Sequence, residues 1–364
     1  MKIIRTYLLK ELLPPFLLAL LVSTMLLTTG QIIQMADLII NKGVGAIDMF
    51  YLTLLLMPSL LTFTIPISVL SACLLGFARL SCDNEITALK ASGVSIFHIA
   101  APVLVVGFII SLACIPLNYK IMPEAAYRAR KLLKEIGVKN PTALIEPGVF
   151  MKTFKDYVIF VYDIKGNTLK DIRIYQPQQD GPTRTVIAES GEILPQVQDN
   201  TVRIKLVNGI ADEIVPEDPD NMYKLIFKNY YLTLDLKEAL HKQEVQKKAR
   251  EMTLGELKTE FRKLKEANID TTFLDLELQN KISFAFSSLI FIMIAIPIGI
   301  KTHRREKSIN FGMALFLYLL YWGLMLGGVA CVIRRFVPAW VGVWFPNVVF
   351  GIVGIILFAR ALKK

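Results

Sequence analysis

Long uncharged runs alternate with charged segments along this chain, and the runs have the length of membrane-spanning helices. A helix that crosses about 30 Å of hydrocarbon needs roughly 20 mostly apolar residues. Six runs meet this requirement: Leu12–Ile33, Met49–Ala78, Ser95–Leu117, Ile282–Ile300, Ser308–Ile333 and Phe336–Ala359. The pattern therefore predicts six transmembrane helices, three before a polar middle segment and three after it.

The hydrophobic period changes in the polar middle segment. Short stretches rich in β-branched and aromatic residues alternate apolar and polar positions there, as Val202, Ile204 and Leu206 do, and turn signals separate them. The predicted strands are Ala143–Phe150, Tyr157–Ile164, Leu169–Tyr175, Thr185–Ile193, Val202–Ile214 and Tyr223–Leu234. About a hundred residues of short strands without interleaved helices predict a β-sandwich or jelly roll.

Two predicted helices flank these strands. Met122-Pro123-Glu124 begins a basic helical stretch, and Thr253-Leu254-Gly255-Glu256 has the form of a capping box before an apolar face. The predicted organisation is therefore helices 1–3 within residues 1–119, an all-β domain with flanking helices within 120–275, and helices 4–6 within 276–364.

The charge distribution supports a membrane protein. The chain has a net charge of +10, a mean hydropathy of +0.48 and 54% apolar residues. Between Lys120 and Asp275 there are 25 basic and 24 acidic residues, so nearly all of the excess lies in the apolar parts. Because positive charge beside apolar runs is typical of membrane topology, no nucleic-acid partner is expected.

The short loops predict the orientation. If both termini are cytoplasmic, twelve Lys and Arg residues fall on the inner side, whereas the outer loops hold only Lys42, Arg334 and Arg335, with Lys281 at the outer end of the fourth span. This bias follows the positive-inside rule. The middle domain is then expected outside the cytoplasm.

Several chemistries are excluded by absent residues. A phosphate-binding loop requires a Gly-Lys dipeptide, and none occurs in the chain. The three histidines, His98, His241 and His303, are far apart in the predicted topology, so they predict neither a metal site nor a catalytic triad. We therefore expect neither an enzyme nor a bound cofactor.

A short polar segment between the second and third runs is predicted to be a helix, at about residues 81–93. Ser81 or Asp83 can cap its start, Glu85 lies in the first turn, and Gly93 suits its end. This helix is either a solvated connector or a rigid element that transmits force from a cytoplasmic partner, and spacing alone leaves both interpretations open. Gly323, Gly327 and Gly328 in the fifth run likewise indicate either dimerisation or packing within the bundle.

Three segments resemble one known family. They are the opening Arg5-Thr6-Tyr7-Leu8-Leu9-Lys10-Glu11, the run Glu85-Ile86-Thr87-Ala88-Leu89-Lys90-Ala91-Ser92-Gly93, and Leu278-Gln279-Asn280-Lys281-Ile282 leading to Ala295-Ile296-Pro297. All three are similar to the lipopolysaccharide export permeases LptF and LptG, with a lean towards LptF. The similarity covers the whole chain.

The resemblance implies a fold, a location and partners. It implies a permease in the inner membrane of a Gram-negative cell, paired with a second LptF/LptG-type permease. It also implies an LptB-like ATPase dimer that uses ATP in the cytoplasm, and an exported jelly roll that passes lipopolysaccharide to LptC/LptA-like bridge proteins. In this family a short cytoplasmic helix, the coupling helix, contacts the ATPase through an acidic residue, and the resemblance assigns that role to Glu85. The other residues of this segment that are expected to contact the ATPase are Asp83, Ile86, Leu89 and Gly93.

Lipid A carries phosphates beside acyl chains, so an extractor needs cations at the level of the outer leaflet. The candidates are Lys42, Lys281, Arg334 and Arg335, with Arg128 and Arg130 just above them. Such residues at span ends also reach ordinary headgroups, and this alternative stays open. Gln34 stands where some relatives carry a Lys, so the phosphate contact is expected to have moved to Lys42.

The β domain is predicted to shield lipid on its way out. The candidate groove lining is Val158, Phe160, Tyr162, Ile204, Leu206, Tyr230 and Leu232. The sequence does not decide which alternate set faces inward. The competing interpretation is a membrane-anchored receptor or assembly scaffold, which would need neither six spans nor a docking helix.

Overall fold

The structure is a computed structural model that describes residues 2–40, 44–139, 148–154, 157–165, 168–176, 184–196, 201–214, 222–235, 247–267, 269–302 and 307–363. The chain divides into two compact units. One consists of Met1–Gly30, Leu56–Tyr127 and Lys247–Lys364, and the other of Gln31–Leu55 and Arg128–Gln246. The first unit contains most of the helical residues, and the second contains the β domain.

The apolar runs form helices that extend beyond the predicted spans into charged flanking sequence. The described helices are α1 (Lys2–Ile40), α2 (Ala46–Cys82), α3 (Glu85–Ala91), α4 (Ile96–Pro116), α5 (Met122–Lys139), α6 (Leu254–Glu266), α7 (Thr272–Lys301), α8 (Lys307–Ile333) and α9 (Ala339–Lys363). Six helical segments are long and apolar enough to cross a membrane, which confirms the predicted spans. They correspond to α1, α2, α4 with its continuation, α7, α8 and α9.

A π-helical turn, Leu117–Ile121, joins α4 to α5 without a break. Asn118 in this turn is only 3% exposed. Its side-chain oxygen accepts a hydrogen bond from the Thr62 hydroxyl at 3.0 Å, and its amide donates to the backbone oxygen of Lys281 at 3.3 Å. The π turn therefore connects α4 to both α2 and α7, and such turns are often found at functional positions.

The core of the helical unit lies around α2 and α7. Leu70, Phe77, Phe291 and Tyr321 are completely buried, and the rings of Phe291 and Tyr321 pack edge to face with centroids 4.9 Å apart. In contrast, α1 and α8 expose many large apolar side chains. These exposed faces fit a hydrocarbon environment or a second membrane protein.

The glycines of α8 have different environments. A Cβ atom on Gly328 would lie 2.1 Å from the backbone oxygen of Gly342 in α9, whereas Gly323 and Gly327 have nothing within 4 Å. Packing within the bundle therefore accounts for Gly328. Gly323 and Gly327 do not pack closely against another described helix, so among these three glycines only they remain candidates for a dimer contact.

Six strands form one antiparallel sheet in chain order. They are β1 (Met151–Phe154), β2 (Tyr157–Lys165), β3 (Thr168–Gln176), β4 (Arg184–Gln196), β5 (Thr201–Ile214) and β6 (Met222–Asp235). Five predicted strands are confirmed to within three residues at each end. The first, Ala143–Phe150, is wrong over Gly148–Phe150, where a turn precedes β1, and its residues 143–147 lie outside the described residues. Gly148 has a φ of 77°, which breaks extended pairing.

One face of this sheet forms the core of the β domain. Ile159, Val161, Ile172, Ile204 and Leu206 are completely buried on that face. All six strands contribute side chains to this buried cluster. The predicted fold class, six transmembrane helices with an inserted all-β domain, is confirmed. The connectivity of the described sheet is simpler than that of a two-sheet sandwich, because all of its pairings join consecutive strands.

The capping box predicted before α6 is present. The Thr253 backbone N–H donates to the Glu256 carboxylate at 2.8 Å, and Lys247 donates to the same side chain at 2.5 Å. The pKa of Glu256 lies below its usual value. Partial burial acts to raise this pKa, but the hydrogen bonds from Lys247 and Thr253 have the larger combined effect and lower it. Leu257 is completely buried against Ala249 and Leu274, which holds α6 on α7.

Candidate functional site

The short helix α3 is fastened to the helical bundle on one side. It has seven residues and follows α2 after only Asp83 and Asn84. Ile86 is 3% exposed and lies in the main helical core, and Leu89 packs against that core. Because Asn84 has a φ of 58° and Gly93 a φ of 83°, the chain changes direction sharply at both ends of α3. The helix is therefore packed against the core between α2 and α4.

The start of α3 differs from the prediction. Ser81 and Asp83 do not cap it, because α2 continues to Cys82. The Ser81 hydroxyl donates instead to the backbone oxygen of Ile300 at 2.7 Å, and the Asp83 carboxylate lies 3.6 Å from Arg79 Nε. Asn84 occupies the N-cap position without a side-chain capping bond. Asp83 thus belongs to an ion pair with α2 rather than to the helix start.

Glu85 makes a contact that sequence reasoning missed. The Tyr7 hydroxyl donates to Glu85 Oε1 at 3.0 Å and to Oε2 at 2.9 Å. One turn further along α1, Glu11 forms an ion pair with Arg79, which also lies beside Asp83. Polar contacts therefore link α1, α2 and α3. They involve five side chains: Tyr7, Glu11, Arg79, Asp83 and Glu85. The only sequence signal was the four-residue spacing of Tyr7 and Glu11 on α1.

A cavity of about 750 Å³ lies beside these contacts. Its lining combines polar and apolar side chains: Glu11, Arg79, Asp83 and Asn310 with Pro14, Pro15, Leu18, Leu75, Gly76 and Cys82. Its volume is in the range of small-molecule sites.

The Lys and Arg residues predicted at the level of the outer leaflet do not form one cluster in the described helical unit. Lys281 is 6% exposed inside α7, and its ammonium donates to the backbone oxygen of Met252 at 2.6 Å. Arg335 donates to Asp270 Oδ2 at 2.6 Å, whereas Arg334 is exposed beside it. The hydrogen bonds from Thr272, together with Arg335, lower the pKa of Asp270 to about 2. Lys281 and Arg335 therefore already have protein partners.

The remaining predicted cations are only partly described. Arg128 is exposed on α5, and Arg130 is half-buried. Lys42 lies outside the described residues. Gln34 belongs to α1 by its backbone, but its side chain is outside the described part of the structure.

Lys281 belongs to an internal polar cluster that sequence reasoning also missed. A cavity of about 180 Å³ is lined by the polar residues Thr62, Asn118, Arg250, Glu277, Asn280 and Lys281 and by apolar side chains including Phe63, Phe284 and Trp322. This volume is far too small for a lipid with several acyl chains. Among the described residues, no group of three His, Cys, Asp or Glu side chains could hold a metal ion.

The candidate groove residues divide between two faces of the sheet. Ile204 and Leu206 are completely buried in the core, and Leu232 and Tyr230 lie opposite them on β6. Val158, Phe160 and Tyr162 alternate with the buried Ile159 and Val161, so they lie on the outer face. The seven residues therefore cannot line one groove on a single face, because adjacent positions in a strand point in opposite directions.

Comparison with known proteins agrees with these features. Residues 6–360 match the family described as lipopolysaccharide export system permease LptF/LptG. The chain is 22% identical over 326 residues to the lipopolysaccharide export system permease protein LptF of Escherichia coli strain K12, across 88% of this chain and 84% of that protein. It is 27% identical over 262 residues to an uncharacterized protein of Rickettsia prowazekii, across 71% of each.

The family match includes all six membrane-length helices, the short helix α3 and the inserted sheet. The sequence predicted these elements from its apolar runs, from the alternation in the polar middle segment and from the polar segment that contains Glu85. The chain therefore belongs to the LptF/LptG family of lipopolysaccharide export permeases, as a multi-pass protein of the inner membrane.

Proposed function

We propose that the chain is a permease subunit of an ABC-type transporter that extracts lipopolysaccharide from the outer leaflet of the inner membrane. It passes the lipid to a periplasmic bridge of LptC/LptA-like proteins for delivery to the outer membrane. A second LptF/LptG-type permease completes the membrane part. A separate LptB-like ATPase dimer hydrolyses ATP, since this chain has no Gly-Lys phosphate-binding motif.

The geometry of α3 is the observation that carries this proposal. The helix is anchored by Ile86 on one side and begins at Glu85, whose side chain is half-buried. Because α3 is short and joined to α2 and α4 by sharp turns, a displacement of α3 has to be shared by those two spans. This is the arrangement that a partner needs in order to move membrane helices from the cytoplasm.

The charge bias of the short loops supports an orientation of the elements in the membrane. With both termini and α3 in the cytoplasm, twelve short-loop cations are inside and three are outside. The β domain is then periplasmic. Of the candidate cations, Arg334 and Arg128 are exposed in the structure, so they are the first candidates for lipid phosphates, together with Lys42.

The β domain serves as a conduit in this proposal. Acyl chains that leave the bilayer expose apolar surface at a cost of about 0.8 kcal/mol per CH₂ group, so free passage through water is prohibitive. The apolar inner face of the sheet can cover such chains. Since β1 and β6 are edge strands of the described sheet, the face can also be continued by strand addition from a similar domain.

Replacement of Glu85 by Ala tests the coupling role. A first-turn carboxylate contributes only about 0.3–1 kcal/mol to its own helix, so Glu85→Ala should insert and fold normally. We expect the variant to lose the ATPase during purification, or to lose lipopolysaccharide delivery. Co-purification from cells that express the complete transporter, followed by a transport assay, measures both.

Glu260→Ala is the matched control, because it removes a carboxylate from α6, on the other side of the membrane in this proposal. It should keep both the ATPase and transport. Wild-type ATPase retention and lipid delivery in Glu85→Ala would show that the coupling role is wrong.

A further inference from the structure

The beginning of α1 carries two polar side chains that the proposed function does not use. Tyr7 and Glu11 are four residues apart, so they lie on the same face of the helix. Tyr7 bonds Glu85 at the start of α3, and Glu11 pairs with Arg79 near the end of α2. One helix face therefore contacts two other elements at the same level of the bundle.

These contacts lie where α1 is joined to the rest of the helical unit. Leu8 and Leu12, on neighbouring positions of α1, are 1% and 8% exposed and belong to the main core. Further along α1, large apolar side chains such as Leu17, Leu21 and Met25 are exposed. The polar contacts of Tyr7 and Glu11 and the packing of Leu8 and Leu12 therefore join the start of α1 to α2 and α3.

The hydrogen-bond geometry leaves Glu85 available to a partner. The single hydroxyl hydrogen of Tyr7 is shared between the two carboxylate oxygens, at 3.0 and 2.9 Å. A carboxylate offers about four acceptor positions, so a cationic group can still approach Glu85. Tyr7 is a neutral donor that orients the carboxylate without neutralising it.

We propose that Tyr7 is a positioning residue that holds the Glu85 carboxylate in the orientation recognised by the ATPase, and that it links α1 to the movement of α3. This inference rests on the proposed coupling role of Glu85. A glutamate side chain has several rotatable bonds, and fixing them before association removes an entropic cost of binding. The Glu11–Arg79 pair supports this role by holding the same face of α1 against α2.

Removal of one oxygen atom tests the positioning role. Tyr7→Phe keeps the ring and deletes the donor, whereas Glu85→Ala deletes the acceptor. Both single variants and the double variant are prepared with the second permease and the ATPase from the same genome. The permease pair is placed in lipid nanodiscs and titrated with purified ATPase, so that weak association remains measurable.

We expect Tyr7→Phe to weaken ATPase association by about threefold to tenfold, the usual effect of one hydrogen bond. In the Glu85→Ala background, Tyr7→Phe should have no further effect, because Tyr7 acts through Glu85. Tyr51→Phe, which removes a hydroxyl near the other end of α2, is the matched control and should bind like the wild type. The thermal midpoint of each variant measures folding separately.

The outcomes separate this inference from the proposed function. If Glu85→Ala weakens association and Tyr7→Phe does not, the positioning role is overturned and the coupling role stands. Equal losses from Tyr7→Phe in both backgrounds would mean that Tyr7 acts independently of Glu85, which also overturns the inference. Normal association in Glu85→Ala would overturn both.

Discussion

At the scale of single residues, the close approach of α8 and α9 depends on glycine. A Cβ atom on Gly328 would lie 2.1 Å from the Gly342 backbone oxygen, so Gly328→Ala has to push the two helices apart. Overpacking of this kind costs about 1–3 kcal/mol. We expect Gly328→Ala to lower the thermal midpoint of the purified protein in detergent, as followed by intrinsic fluorescence.

Gly327→Ala provides the control at the neighbouring position. Nothing lies within 4 Å of its added Cβ, and alanine is the better helix former by about 1 kcal/mol. Its midpoint should stay unchanged or rise slightly. An equal decrease in both variants would contradict the assignment of Gly328 alone to packing within the bundle.

At the scale of elements, a buried ammonium holds the segment before α6 against α7. Lys281 Nζ donates to the Met252 backbone oxygen at 2.6 Å, and Leu257 packs completely buried in the same region. Lys281→Met removes this donor, and a hydrogen bond from a charged group contributes about 1.5–3 kcal/mol. Local opening of residues 249–257 should therefore become at least about tenfold more frequent, as measured by amide hydrogen exchange.

Lys258→Met, at an exposed position of α6, is the control for this prediction and should leave exchange in that segment unchanged. If Lys281→Met exchanges like the wild type, the ammonium does not hold the segment. The prediction concerns stability rather than lipid contact, because the Lys281 ammonium donates to a protein carbonyl.

At the scale of the whole molecule, lipid contact on the two faces of the sheet distinguishes a β domain that conducts lipid from one that acts as a receptor. Photocrosslinking residues are placed singly at Ile204, Leu206 and Leu232 on the inner face, and at Val158 and Phe160 on the outer face. During ATP hydrolysis, we expect lipopolysaccharide adducts only at the inner positions, with the two-residue period of a strand. Gel shifts detected with an antibody to lipopolysaccharide measure the adducts.

Ile204 and Leu206 on the inner face are completely buried, so this face has to become accessible before lipid can contact it. This requirement is why adducts should depend on ATP. Equal adducts on both faces, or equal adducts without ATP, would contradict the conduit and favour the interpretation as a receptor.

Much of the fold could be predicted from the sequence because its signals are local. Each apolar run is long enough to span a membrane by itself, and β5 shows its two-residue period in consecutive residues. The capping box of Thr253 and Glu256 is also contained within four residues. The first strand was misplaced because the prediction continued it through Gly148, where the structure has a turn.

The two alternate sets of β2 show why the groove could not be predicted. Val158, Phe160 and Tyr162 are apolar or aromatic, and so are Ile159 and Val161 between them, so alternation alone does not identify the inner face. The register with β3, which pairs Ile159 with Ile174 and Val161 with Ile172, decides it. Pairing is a property of the sheet and not of one strand.

By itself, the sequence determined the six spans, the inserted strands and the short helix that carries Glu85, since hydropathy, period and turn residues act over a few neighbouring positions. Only the tertiary structure decided which polar groups meet. Tyr7 and Glu85 are 78 residues apart, and Asn118 and Lys281 are 163 residues apart. The physical reason is that such contacts arise from the packing of whole helices, and no local pattern in either segment specifies the partner across the bundle.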